Sequence, residues 1–269
     1  MNYLDNPGNN VVLRDMQLRK LDTYKVYLPM FRPNLPEPSD RVVASINAII
    51  PTLIGASRAR EIAGSHRNFR VGAAALVQYQ QGHVFAHQFV HGANIKPVQG
   101  LEEINIHAEH SILSKCEVER EPSETASIIT LAVVGDIQPD QQSGQATTTL
   151  HPCGVCREQF EDPACPVDEE TLIVTANPEL TTIEAFCLDG LRRLHQSNDP
   201  SGILTVQFDH PLRILELPDW YMEGQQRGVV APPFNDTPEE IADEKEFNIR
   251  LILPLLTSRL EILNERATI

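Results

Sequence analysis

At 269 residues the chain has room for one large domain or an ordinary domain with extensions, and it can bury a core without needing metal or disulfides to fold. Its 37 acidic against 22 basic residues leave a formal net charge of −15, which repels phosphate at long range and argues against a nucleic-acid or anionic-membrane partner. Five cysteines (Cys116, Cys153, Cys156, Cys165 and Cys187) do not make the dense, even framework of a small secreted protein, and the N-terminal MNYLDNPGNN has no basic-then-apolar leader. No stretch is long and apolar enough to span a bilayer, so a reducing cytoplasm is expected.

Residues 1–38 end in YLPMFRPNLPEPSD, whose prolines forbid a regular helix, and are expected to form an extended N-terminal arm. Ser39 or Asp40 then caps a helix through VVASINAIIPTLIGASRAREIA, kinked at Pro51 and stopped by Gly64. In RVGAAALVQYQQGHVFAHQFVHGANI two β-leaning runs flank Gln81-Gly82, a hairpin signal. ASIITLAVVGD (126–136) and TLIVTAN (171–177) read as strands buried on both faces, with helical stretches beginning near Ile106 and near Cys153. Strands alternating with helices predict an α/β domain over 39–222.

PDQQSGQATTT (139–149) and HQSNDPSG (195–202) are expected as surface loops, and residues 223–269 as a linker followed by a helical extension. Thr237, Pro238 and Glu240 mark the start of that last helix, which Pro254 should interrupt.

The chemistry is concentrated in two short stretches, NIHAEHSIL (105–113) and HPCGVCREQF (151–160). A lone C-x-x-C is a weak signal, and a thioredoxin-type pair would favour an aromatic residue where Pro152 stands. In mid-helix His107 and Glu109 would point about 200° apart. At the first turn of a helix aimed end-on into a pocket, both reach one place. Cys153 and Cys156 share a face at a second helix start. One imidazole and two thiolates with a fourth position open is the catalytic kind of zinc site, and Glu109 stands where a carboxylate must act on water. Arg157 and the helix N-termini draw electron density from the sulfurs and keep the metal electrophilic. The conjunction H-x-E … P-C-x-x-C is the signature of zinc-dependent base deaminases.

With these residues placed, the chain resembles the cytidine deaminase family over roughly residues 40–222. Beyond the zinc motifs, the resemblance rests on F-x-V-G-A-A at Phe69 to Ala74, GANI at 92–95, PCGVCR at 152–157 and LRILELPDW, likened to the family's closing strand. It implies a three-layer α/β/α sandwich around a mixed five-stranded sheet, with zinc held by His107, Cys153 and Cys156. Glu109 is then the proton shuttle in converting cytidine to uridine and ammonia, a step of pyrimidine salvage. Phe69 is expected to pack on the base, Asn94 to bond a ribose hydroxyl, and Arg157 to hydrogen-bond the thiolates. A homo-oligomer, dimer or tetramer, is also implied.

The family usually carries N-x-E where this chain has Asn94, Ile95, Lys96. Lys96 in place of an acid raises the alternative of a cytosine nucleotide or a blasticidin-like antibiotic as substrate. Two further readings stay open. One is a nucleic-acid-editing deaminase, against which the acidity weighs. The other is a non-catalytic zinc module closed by Cys165, His151 or His110.

Overall fold

A computed structural model describes residues 39–64, 69–82, 84–95, 106–120, 124–136, 148–215 and 238–259. The N-terminal arm, Lys96, most of the 139–149 loop and the linker lie outside them. Two compact units divide the chain: Ala48–Leu215 forms one, and the described residues 39–47 and 238–259 belong to the other.

The larger unit is built on a six-stranded mixed sheet, one strand more than the resemblance implied. Its strands are β1 (Val71–Gln81), β2 (Val84–Ala93), β3 (Thr125–Gly135), β4 (Leu172–Ala176), β5 (Thr182–Phe186) and β6 (Leu204–Gln207), in the order β2-β1-β3-β4-β5-β6. Only β3 and β4 run parallel. Every residue of β4 is buried, as its unbroken apolar run requires of a strand covered on both faces. The β1–β2 hairpin turns at Gly82, whose φ of +61° is open to glycine at little cost. The sixth strand pairs antiparallel with β5 at the sheet edge. At four residues, with alternating exposure, it is too short to announce itself.

Helix α2 (Ile49–Glu61) packs on β1 and β3, and α3 (Ala108–Glu119) on β2 and β1. The alanine-rich start of β1 exists for this contact. A Cβ at Gly72 would meet the Ala56 carbonyl oxygen at 2.0 Å, so helix and strand touch backbone to backbone. The other face of β1 presents Ala73, Ala75 and Val77 to a core shared with Ala108 and Ile112 of α3, Cys156 and Phe160 of α4 (Gly154–Phe160), and Leu188 and Leu191 of α5 (Leu188–Ser197). On the surface of this unit Arg192 of α5 bridges Glu161 and Glu169, each at 2.5 Å.

Three local expectations are corrected. The first helix breaks at Ala48 and not at Pro51, giving α1 (Asp40–Asn47) and α2. Pro51 falls in the first turn of α2, where a missing N–H costs no helical hydrogen bond. His195–Ser197 of the expected loop are the last residues of α5, which Asn198 ends in the left-handed conformation at φ 56°. The expected closing strand begins instead as a 3-10 turn, Arg213–Leu215, and residues 216–220 lie outside the described set.

In the second unit Ser39 Oγ accepts from Val42 N–H at the start of α1. Helix α6 (Pro238–Phe247) begins at the proline, as its start signal requires. It then widens into a π-turn, Asn248–Ile252, before 253–259 resumes α geometry. The interruption thus precedes Pro254. Widening the turn ahead of a proline relieves its ring from the carbonyl it would otherwise strike. Arg259 Nη1 donates to Ser45 Oγ at 3.1 Å, tying the helix end to α1. Among the described residues no single helix is long and apolar enough to cross a membrane.

Candidate metal centre

His107 and Cys153 occupy the same structural position on different helices. Each is the residue just before a helix, His107 ahead of α3 and Cys153 ahead of α4, with extended backbone (ψ 157° and 171°). Each carbonyl accepts the first helical hydrogen bond, from Ser111 N–H and Arg157 N–H respectively. Both side chains therefore project from a helix mouth, and Cys156 joins Cys153 from the first turn of α4. The chain leading into Cys153 passes the end of β4, where Thr149 meets Thr175.

The donor atoms converge. His107 Nδ1 lies 3.2 Å from Cys153 Sγ and 3.3 Å from Cys156 Sγ, and the sulfurs are 3.6 Å apart. A tetrahedral ion with metal–sulfur bonds of about 2.3 Å and a metal–nitrogen bond of about 2.0 Å calls for separations of about 3.5 and 3.8 Å. The chain already holds its donors within a few tenths of an ångström of that shape. Among the described residues this is the only His, Cys, Asp or Glu cluster of metal-binding geometry.

Electrostatics at the site follow from burial. Cys156 is wholly buried and Glu109, on the first turn of α3, is 5% exposed. Burial pushes the Glu109 carboxyl upward, opposed by its backbone hydrogen bond. The Cys156 thiol also hydrogen-bonds to it. The hydrogen bond from Cys156, helped by His107, outweighs burial and brings the Cys153 thiol down to about 3. The same bond and burial push the Cys156 thiol up. Cys153 is a thiolate in waiting, the form a metal requires.

The remaining sequence-picked residues fall in different places. Phe69 is half-buried against the core under the site. Asn94 spends its amide on backbone: Nδ2 donates to the Phe69 carbonyl at 3.0 Å and Oδ1 accepts from Val71 N–H at 2.8 Å. It pins the Phe69 segment to the start of β1. Arg157 Nη1 donates to the Pro152 carbonyl at 2.9 Å, holding the turn that presents Cys153. The neighbour of the Cys156 sulfur is His110, whose Nε2 lies 3.6 Å away and whose ring stacks on His107 at 4.9 Å. His110, Cys165 and His151, the three residues considered for a fourth ligand, all stand outside the converging group.

Sequence reasoning missed one feature entirely. Glu184 of β5, 6% exposed, accepts from Thr148, Thr149, His151 and Thr205. No motif flags an acid inside a short strand.

No family model and no curated protein matches the chain. Solved structures do. The chain resembles cytidine deaminases. It is 23% identical to the cytidine deaminase of Burkholderia pseudomallei over 52% of this chain and 93% of that one, with a TM-score of 0.37. The enzyme of Mycobacterium leprae aligns at 20% identity over 52% and 93%, TM-score 0.34, and that of Mycobacterium tuberculosis at 25% over 46% and 80%, TM-score 0.31.

Proposed function

We propose that this chain is a zinc-dependent hydrolase that converts cytidine or deoxycytidine to the uridine form with release of ammonia. The convergence of His107, Cys153 and Cys156 beside the buried carboxyl of Glu109 carries the reading. Zinc held by these three side chains would supply the Lewis acidity that makes a water nucleophilic near neutral pH.

Glu109 does the proton work. It takes a proton from the attacking water and passes it to the ring nitrogen next to the amino-bearing carbon, which makes that carbon easier to attack. It then takes the proton of the hydroxyl now on that carbon and hands it to the amino group, which leaves as ammonia as the carbon–nitrogen bond breaks and the carbonyl forms. A carboxyl raised by burial is suited to both directions of transfer, since its proton affinity approaches that of its partners. The helix starts beneath His107 and Cys153 add partial positive charge to the thiolates. Arg157, which holds the Pro152 carbonyl, and His110, within reach of Cys156 Sγ, are the groups we assign to the surroundings of the thiolates. Phe69, whose carbonyl Asn94 holds, is the side chain we assign to packing on the base.

A second substrate reading is a cytosine nucleotide or blasticidin-like compound. Lys96 in the sequence favours it, and so does the engagement of the Asn94 amide with backbone. A cytoplasmic setting and a homo-oligomeric assembly complete the reading.

The test is ammonia release from cytidine, deoxycytidine, CMP and blasticidin S, with wild type and Glu109→Gln. We expect stoichiometric zinc in both proteins and turnover only in the wild type. Equal turnover by the variant would remove Glu109 from the chemistry, and fast deamination of CMP with none of cytidine would decide for the second substrate.

A further inference from the structure

The carboxylate of Glu184 plays no part in the reaction outlined above, yet it is buried and heavily bonded. Thr148 Oγ1 donates to it at 2.6 Å, His151 Nε2 at 2.8 Å and Thr205 Oγ1 at 3.1 Å, with Thr149 Oγ1 as a fourth donor. Thr149 also meets Thr175 of β4 at 2.5 Å. Burying a carboxylate is costly unless its lone pairs are filled, so a charge here must be held for something. A strand that needed only stability would do as well with an apolar residue.

The direction of the four contacts shows what is held. One, Thr205, comes from β6. The other three come from the five residues that lead into Cys153. His151 is 8% exposed, tilts against Phe186 at 5.0 Å between ring centroids, and is followed only by Pro152 before the first sulfur. Arg157 then grips the Pro152 carbonyl from the other side. The approach to Cys153 is thus fixed from the sheet below and from α4 ahead.

We propose that Glu184 is a positioning residue of the metal centre, clamping residues 148–151 to β5 so that the Cys153 sulfur meets His107 at ligand distance. The clamp rests on the metal reading of His107, Cys153 and Cys156. Metal–ligand bonds tolerate only about 0.2 Å of error, and outer partners of ligands typically change metal affinity about 10–100-fold when removed. Glu184 differs from such partners in acting through the backbone ahead of a ligand instead of on the ligand atom.

The experiment compares Glu184→Gln, which keeps the volume but replaces one acceptor with a donor, and Thr205→Val, which removes the contact outside the Cys153 approach. Zinc affinity is measured by competition with a chromophoric chelator, the cobalt(II) form by its visible spectrum, and residues 148–156 of the metal-free protein by hydrogen exchange. We expect Glu184→Gln to bind zinc at least tenfold more weakly, to shift the cobalt bands and to exchange faster over 148–156. Thr205→Val should stay within twofold in affinity. Unchanged affinity and spectrum in Glu184→Gln, or an equal loss in Thr205→Val, overturns the clamp. Should Glu184→Gln fail to fold, Thr148→Val is read in its place: a threefold or greater weakening supports the clamp, and no change refutes it. Wild-type protein that takes up no zinc would sink the metal centre itself, and the clamp with it.

Discussion

Replacing Gly92 with alanine tests how tightly the fold sets the site. Gly92 lies on β2 beneath the first turn of α3, and an added Cβ would sit 2.4 Å from the Ala108 carbonyl oxygen and 2.9 Å from the Ser111 Cβ. The nearer atom is backbone and cannot rotate aside. To reach ordinary contact at 3.4 Å the start of α3 must retreat by about 1 Å. Overpacking of this kind costs about 1–3 kcal/mol, and a backbone clash belongs at the upper end. Alanine also narrows the unfolded ensemble, which offsets about 0.5 kcal/mol and leaves a net loss of about 2 kcal/mol. His107 and Glu109 ride on the displaced turn, and a 1 Å misplacement of a reacting group costs about 10²-fold in rate. Urea denaturation followed by circular dichroism reads the first quantity and ammonia release the second. A variant with the wild-type urea midpoint and rate would mean that α3 does not seat on β2 at Gly92, and the reasoning fails.

Three other outcomes are expected. Burial alone would raise the Glu184 carboxyl, but hydrogen bonds from His151, Thr148 and Thr149 outweigh it and hold it at about 2 against 4.5 when unfolded. A depressed carboxyl stabilises above its unfolded value, so this contribution should fade as pH falls from 4.5 toward 2. The urea midpoint of wild type should drop more steeply across that window than that of Glu184→Gln, and parallel slopes would deny the linkage. Asn94→Ala strands the Val71 N–H and the Phe69 carbonyl, for a loss of about 1–3 kcal/mol in urea titration and a raised KM for the substrate. Arg192→Ala removes two ion pairs between half-exposed side chains and should cost under about 1 kcal/mol by thermal melting, leaving zinc stoichiometry intact.

How far the sequence revealed this molecule depended on how local each signal was. The hairpin at Gly82 was legible because its turn and both flanking runs lie within one stretch of chain. β4 and the part of β3 from Ile128 onward were legible because burial on both faces leaves a largely apolar run. β6 and the 3-10 turn at Arg213–Leu215 were not, since four residues of mixed polarity take their conformation from the neighbour they pair with. The same division runs through the site. The converging trio His107, Cys153 and Cys156 could be picked because metal ligation restricts residue type at each place. Glu184 could not, because its partners lie up to 36 residues away and become neighbours only when β5 enters the sheet. The bonds from Asn94 to the Phe69 and Val71 backbone were not legible, since nothing in a sequence tells which backbone groups an amide will meet.

The π-turn in the C-terminal helix bears on which changes of chain length that helix can absorb. Its buried positions Asp243, Phe247, Leu251, Leu255 and Arg259 recur at every fourth residue. On a straight α-helix such a stride drifts about 40° each time, so the last position would be roughly 160° out of phase with the first. The swollen turn at Asn248–Ile252 takes back part of that drift. A π turn spends five residues on about the rotation that an α-helix covers with four, so removing a single residue there and closing the turn to α geometry would keep Leu255, Leu256 and Arg259 on their buried face, and exchanging the exposed Ile249 for another side chain would disturb little. Lineages of this chain should therefore tolerate a dropped letter in 248–252 that they would not tolerate in the regular turns on either side, where it would twist the helix by about 100°.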